Sequence, residues 1–253
     1  MSPTLLVTRP RDQAAELRDL LRQRGMATIG VPTVEIDRSS VAAGLDRMLE
    51  QLDGVDWLIL TSANGAVALA HRLRATRRSL PSTLHVAAVG PATADALRDA
   101  GILVDHVPST YLTIAIAEGL GDVYARRIVL ARADAATAGL REALTRRGAI
   151  VEEVVAYRTV EAPVSSRGPL ETALRADLDG VTFTSSSTVR GLMGLATSDE
   201  RAFVRETPAF CIGPVTARTA LTAGFRVAAV AGEHTAAGLA DAVAAHFARE
   251  DHR

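Results

Sequence analysis

The chain has 253 residues, 48% of them hydrophobic and 4% aromatic, enough apolar mass for one large core or two of ordinary size. Its 28 basic and 29 acidic residues leave a formal charge of −1 and no long run of one sign, so it lacks the basic stripe that nucleic acid or an anionic membrane demands. A lone cysteine, Cys211, excludes an internal disulfide framework and a CxxC metal site, and fits a reducing compartment.

In chain order, "MSPTLLVTRPRDQ" opens with an apolar run too short for a signal peptide, and no later stretch approaches the length of a membrane helix. A cytoplasmic protein is expected. The run "LLVTRP" reads as a strand feeding a helix that ends at Gly25, followed by the long extended segment "GVPTVEIDR" (30–38). Next come a strand "DWLIL" (56–60), a helix opened by Ser62, a strand "HVAAV" (85–89), and a helix opened by Pro91 and closed by Gly101. The chain then repeats itself. "IVLARADAATAGLREALTRRG" (128–148) lies 123 positions after "LLVTRPRDQAAELRDLLRQRG" (5–25), placing Arg132 on Arg9 and Gly148 on Gly25. At the same step "TSSSTVRGL" (184–192) follows "TSANGAVAL" (61–69), and "FCIGPVTARTALTAGFRV" (210–227) follows "AAVGPATADALRDAGILV" (87–104). Matched blocks without a slipped register point to an internal duplication.

Short apolar runs alternating with helical patterns predict α/β architecture with parallel strands and right-handed crossovers, in two doubly wound halves. The segments 30–38 and 152–163 occupy equivalent places in the copies, and their excess length suggests that they run between the halves as a hinge.

Each copy contains two strand-to-helix turns of small residues: Thr61-Ser62 and the GPxTA turn at 90–94, then Thr184-Ser185 and the GPxTA turn at 213–217. Such turns aim backbone N–H groups and a helix dipole at whatever lies beyond the strands, and so attract anions. In GPxTA, glycine allows close approach, proline suits the first helical position and threonine adds a hydroxyl. Ligands of open α/β sheets bind beyond the carboxyl ends of strands, so the turns would line one cleft if the halves face each other, suiting a ligand with several spread-out carboxylates. Ordinary helix caps account for the same residues equally well.

There is no GxGxxG after a strand, no GxxxxGK[ST], no GxSxG and no HExxH, which withdraws support from nucleotide, serine-hydrolase and zinc chemistry. His71, His85, His106, His234, His246 and His252 show no metal-ligand spacing and read as surface or strand-end residues. Cys211, inside an apolar strand run, reads as a core thiol. Trp57 opens a strand and reads as packing. Arg9 and Arg132 follow matched strands, where a guanidinium can meet a carboxylate or stand solvated. Tyr157, in the hinge segment, is either a ligand-facing phenol or a strand tyrosine with one buried face.

Taken together, "LLVTRP", "LTSANGAVAL", "AVGPATADAL", "VVAYRTVEAP", "FTSSSTV", "CIGPVTARTAL" and "AGEHTAAGLADAV" resemble the uroporphyrinogen-III synthase family over nearly the whole chain. The resemblance implies two flavodoxin-like α/β domains joined by a two-stranded antiparallel connection, 1–35 with 161–253 forming one and 36–160 the other. It implies closure of the linear tetrapyrrole hydroxymethylbilane with loss of water and inversion of the last pyrrole ring through a spirocyclic intermediate, without cofactor or metal. Tyr157 looks like the family's tyrosine nearest the leaving hydroxyl. Arg9, Thr61, Ser62, Gly90, Thr93, Ser185, Ser186, Gly213 and Thr216 would bind the substrate carboxylates through side chains and backbone. A monomer in transient contact with the preceding enzyme of the pathway is the expected assembly. Two other readings remain: an inactive, ligand-sensing domain of a regulator, whose DNA-binding module would lie outside this chain because "AHFAREDHR" holds no recognition helix, and a periplasmic-type binding protein, disfavoured by the missing signal peptide.

Overall fold

The computed structural model describes residues 2–110 and 113–250. In chain order the elements are β1 (Thr4–Val7), α1 (Ala14–Gln23), β2 (Ala27–Gly30), β3 (Val34–Asp37), α2 (Ala42–Glu50), β4 (Trp57–Leu60), α3 (Ala63–Thr76), β5 (His85–Ala88), α4 (Pro91–Asp99) and α5 (Thr113–Gly119). There follow β6 (Arg127–Ala133), α6 (Gly139–Arg146), β7 (Ile150–Glu161), α7 (Arg167–Ala173), β8 (Gly180–Phe183), α8 (Ser186–Leu195), α9 (Ser198–Glu206), β9 (Ala209–Cys211), α10 (Pro214–Thr222), β10 (Val227–Val230) and α11 (Ala236–Glu250). The chain divides into two compact units, Met1–Glu35 with Val160–Arg253, and Ile36–Thr159. It passes from one to the other inside β3 and inside β7.

The first unit holds a five-stranded sheet of order β10-β9-β8-β1-β2, every neighbouring pair parallel. Numbered along the unit, this is the order 2-1-3-4-5 of flavodoxin-like sheets, with its switch point between β1 and β8. Both faces are covered. Leu5 and Val7 pack with Leu17, Leu21, Leu239 and Val243 of α1 and α11, while Leu6, between them in sequence, joins Phe183, Val189, Leu192 and Ala217 on the other face. This alternation is the period of two that an extended strand imposes on side chains. Deep threonines pin the switch point. Thr8 Oγ1 donates to the Thr182 carbonyl at 2.7 Å, and Thr33 Oγ1 donates to the carbonyl of Thr188 at 2.8 Å, tying the chain after β2 to α8.

The second unit holds the order β3-β7-β6-β4-β5, with β7, β6, β4 and β5 mutually parallel. Here Leu58, Leu60 and Val129 face α2, α3 and α4, and Ile59, Ile128 and Leu130 face α5 and α6. Its registers repeat those of the first unit at the sequence step of 123: Thr4 opposite Ala27 matches Arg127 opposite Ile150, and Val181 opposite Ala209 matches Leu58 opposite Val86. One strand is curtailed. The counterpart of β10 is reduced to an isolated bridge between Ala87 and His106.

Helix ends fall where the sequence places them. Gly25, Gly101, Gly148 and Gly224 take φ of 80, 78, 83 and 92°, the left-handed region in which the glycine's own N–H and that of the next residue turn back onto the last helical carbonyls. Ser62 and Ser185 are N-caps, and Pro91 and Pro214 occupy first helical positions behind Gly90 and Gly213. No helix among the described residues is long and apolar enough to cross a membrane.

Candidate functional site

In the first unit Arg9, Ser185, Ser186, Gly213 and Thr216 gather at the carboxyl edge of one parallel sheet, just past β1, β8 and β9. Ser185 caps α8: its Oγ accepts from the Thr188 N–H at 3.2 Å, and Thr188 Oγ1 accepts from the Ser185 N–H at 3.3 Å. This reciprocal box spends two donors internally. Ser186 Oγ lies 2.7 Å from Thr219 Oγ1, which also stands 3.1 Å from the Val215 carbonyl. Either hydroxyl can be the donor of this pair. The contact ties the start of α8 to α10.

Gly213 is extended, with φ −175°, so its absent side chain rather than its backbone freedom matters. A Cβ there would lie 3.1 Å from Cδ2 of His234, an exposed imidazole lying over the glycine from the loop before α11. Thr235 Oγ1 accepts from the Gly238 N–H at 3.0 Å and caps that helix, holding the loop that carries His234. Thr216 is buried at 5% exposure. Arg9 is half-buried, and its Nη1 stands 3.6 Å from Glu16 Oε2, a loose ion pair with an exposed carboxylate. That Nη1 atom is itself shielded from solvent and, among the described residues, has no hydrogen-bond partner.

In the second unit Thr61, Ser62, Gly90 and Thr93 gather at the carboxyl edge past β4 and β5. Ser62 Oγ accepts from the Gly65 N–H at 3.1 Å. Among the described residues no group takes the Ser62 proton. Thr93 is buried at 3%, and the Gly90 carbonyl accepts from the N–H groups of Thr93 and Ala94. Tyr157 stands in β7 opposite Ala133, at the carboxyl end of β6, where the register slips by one residue. Its ring belongs to the apolar cluster under α3 and α4, with 8% of the residue exposed.

Arg132 is neither solvated nor open to a ligand. It is buried, at 6% exposure, donates to Glu153 Oε1 at 2.6 Å, and donates a second bond to the Thr137 carbonyl. Cys211 is fully buried in β9, and burial pushes its thiol up to about 12, so at neutral pH it stays protonated and inert. Trp57 opens β4 with its ring centroid 5.0 Å from that of His85. His71 is exposed on α3, His106 bridges to Ala87, and His246 lies 5.2 Å, centroid to centroid, from Phe210 in the core under α11. His252 lies outside the described residues. Among the described residues no group of three or more His, Cys, Asp and Glu side chains is placed to hold a metal ion.

The roles of His234 and Thr33 escape a reading of the sequence alone. His234 sits 21 positions beyond the glycine it covers, and Thr33 meets α8 across 155 positions, so neither shows as a local pattern. Glu153 is different, because the internal alignment displays it: the matching position in the first copy is Gly30.

Both units are thus parallel α/β sheets with hydroxyls and helix starts at their carboxyl edges, and the first adds an arginine. The family model described as "Uroporphyrinogen-III synthase HemD" matches residues 15–241. A uroporphyrinogen-III synthase of Synechococcus elongatus is 34% identical over 246 residues, covering 93% of this chain and 92% of that protein. Among solved structures, a uroporphyrinogen III synthase from Thermus thermophilus superposes with a TM-score of 0.67 at 20% identity, covering 98% of this chain and all of that one. The Helicobacter pylori uroporphyrinogen-III synthetase gives 0.64 at 15% identity over 97% and 99% of the two chains. The chain belongs to the uroporphyrinogen-III synthase family, lyases of porphyrin biosynthesis.

Proposed function

We propose that this chain closes hydroxymethylbilane to uroporphyrinogen III, losing water and inverting the last pyrrole ring through a spirocyclic intermediate. The observation that supports this most is the pair of carboxyl edges, each presenting serine-capped and GPxTA helix starts, in a chain of this family. Each edge takes a share of the substrate's acetate and propionate groups: Arg9, Ser185, Ser186, Gly213 and Thr216 on the first unit, Thr61, Ser62, Gly90 and Thr93 on the second. A helix start contributes only about 0.3–1 kcal/mol to an exposed anion, so binding needs many of them together. Ser186 takes part through its hydroxyl and its backbone N–H, the hydroxyl being placed by Thr219.

The hydroxyl of the substrate leaves as water when its carbon–oxygen bond breaks, and that oxygen needs a proton or a strong hydrogen bond. Tyr157 supplies it. A phenol O–H is a hydrogen-bond donor that can face the leaving oxygen. Replacing Tyr157 by Phe keeps the ring and removes the donor, so turnover falls by at least about tenfold with folding unchanged; full turnover in that variant ends the assignment. Thr93→Val and Thr216→Val each raise KM if these hydroxyls hold carboxylates, and unaltered kinetics leave them as caps.

The matched registers and helix starts of the two units support an internal duplication. The domains are 1–35 with 161–253, and 36–160, each flavodoxin-like, with the stretches around β3 and β7 as their two-stranded antiparallel connection. The enzyme works as a cytoplasmic monomer that receives its unstable substrate in a transient contact with the preceding enzyme.

A further inference from the structure

The internal repeat places three residues of one unit on three of the other. Arg9, Arg18 and Gly30 of the first unit align, at the common step of 123, with Arg132, Arg141 and Glu153 of the second. In the second unit these form a closed cluster. The Glu153 carboxylate takes a 2.6 Å bond from Arg132 Nη1 and lies 3.8 Å from Arg141 Nη1. In the first unit the strand registers are the same, Val7 opposite Gly30 matching Leu130 opposite Glu153, but the carboxylate is missing. Gly30 is exposed on the edge strand β2, and a Cβ built on it would lie 3.6 Å from Arg18 Nη1 and 3.8 Å from the guanidinium carbon. Arg18 uses its Nε on Thr28 Oγ1 at 3.3 Å. Among the described residues Arg9 has only the loose pair with Glu16.

The Arg18 guanidinium therefore borders a space that a carboxylate of the protein fills in the second unit, where the counterpart of Arg9 also reaches that carboxylate. We infer that Arg9 and Arg18 form a carboxylate-binding subsite over Gly30, and that one acid group of the substrate enters where the Glu153 carboxylate sits in the other unit. Resting on the proposed function, this adds Arg18 to the binding residues and gives Gly30 its reason: the glycine keeps the seat open. In the second unit the matching seat is occupied by Glu153, which engages Arg132 and Arg141.

The test is to close the seat. Gly30 does not adopt a positive φ and has room for a side chain, so Gly30→Glu reproduces the duplicate's arrangement without backbone strain. Gly30→Gln controls for size. Two readouts are taken, KM for hydroxymethylbilane and the dissociation constant for uroporphyrin III, a stable octacarboxylate, followed by fluorescence. Losing a charge-assisted hydrogen-bond pair corresponds to about a tenfold or greater weakening, expected in both readouts for Gly30→Glu and for Arg18→Ala. Gly30→Gln stays within about threefold, the scale of a neutral hydrogen bond. Equal effects of Gly30→Glu and Gly30→Gln, with the wild type binding normally, overturn the subsite and leave the synthase reading intact. Charge-dependent loss of uroporphyrin III binding in a wild type without turnover does the reverse. A wild type that neither turns over nor binds overturns both.

Discussion

In β4 the strand opens on Trp57, with Ala87 two positions along the neighbouring strand; in β8 the matching residues are Gly180 and Phe210. Phe210 and Leu5 fill the volume over Gly180 so completely that a Cβ there would lie 2.5 Å from the phenylalanine ring and 2.8 Å from Leu5 Cδ1. Large beside small in one unit becomes small beside large in the other. The comparison teaches that the repeat preserves turns, caps and registers while letting side-chain volume move between neighbours, as close packing permits when the sum is kept. Charge obeys the same logic at the carboxyl edges. One unit answers its buried arginine with Glu153, and the other places Gly30 at the matching position.

The largest expected effect comes where one unit tolerates no copy of its twin. Gly191 of α8 aligns with Ala68 of α3, yet a Cβ on Gly191 would lie 2.0 Å from the Thr33 carbonyl oxygen. Gly191→Ala therefore costs about 3 kcal/mol or prevents folding, because that carbonyl belongs to a backbone pinned by Thr33 and Thr8. The reverse change, Ala68→Gly, costs about 1 kcal/mol, the helix propensity difference; chemical denaturation of both compares them.

Next in size are the paired arginines. Glu153→Ala strands the buried Arg132, losing about 2–3 kcal/mol, less than for a fully buried pair because Glu153 is partly exposed. Arg9→Ala breaks only a loose surface pair and changes stability by under about 0.5 kcal/mol, while raising KM. Equal stability losses at the two positions dissolve the distinction between them. Smaller again are the caps. Ser185→Ala and Ser62→Ala each cost about 1 kcal/mol, and the reciprocal box at Ser185 predicts the larger loss.

The smallest effect is one of pH, at the entrance to the second unit. Hydrogen bonds from Ser40 and Ser39 lower the Asp37 carboxyl from 3.8 to about 2. Because the folded value is depressed, the stabilisation is present above the unfolded value and is lost as pH falls through about 4 towards 2. Asp37→Asn should thus lower Tm at pH 6 and make little difference near pH 2, which calorimetry at the two pH values checks.

Much of the scaffold is legible in the sequence because its turns demand particular residues: only a glycine relaxes at Gly25 or Gly148, and proline at Pro91 or Pro214 marks a helix start by the donor it lacks. The candidate site is less legible. Whether Ser186 can give its proton to a ligand depends on Thr219, a neighbour only after α8 and α10 pack, and the state of Arg132 depends on a cross-strand register. Tyr157 reads equally as donor or core residue by spacing, and the fold gives it a ring in the core cluster at the end of β6.

The most direct test generates hydroxymethylbilane in the presence of the purified protein, oxidises the products and separates the uroporphyrin isomers. Closure directed by the protein yields the type III isomer in place of the spontaneous type I. Type I alone, from folded protein, contradicts the account and makes the chain a ligand-sensing relative of the synthases.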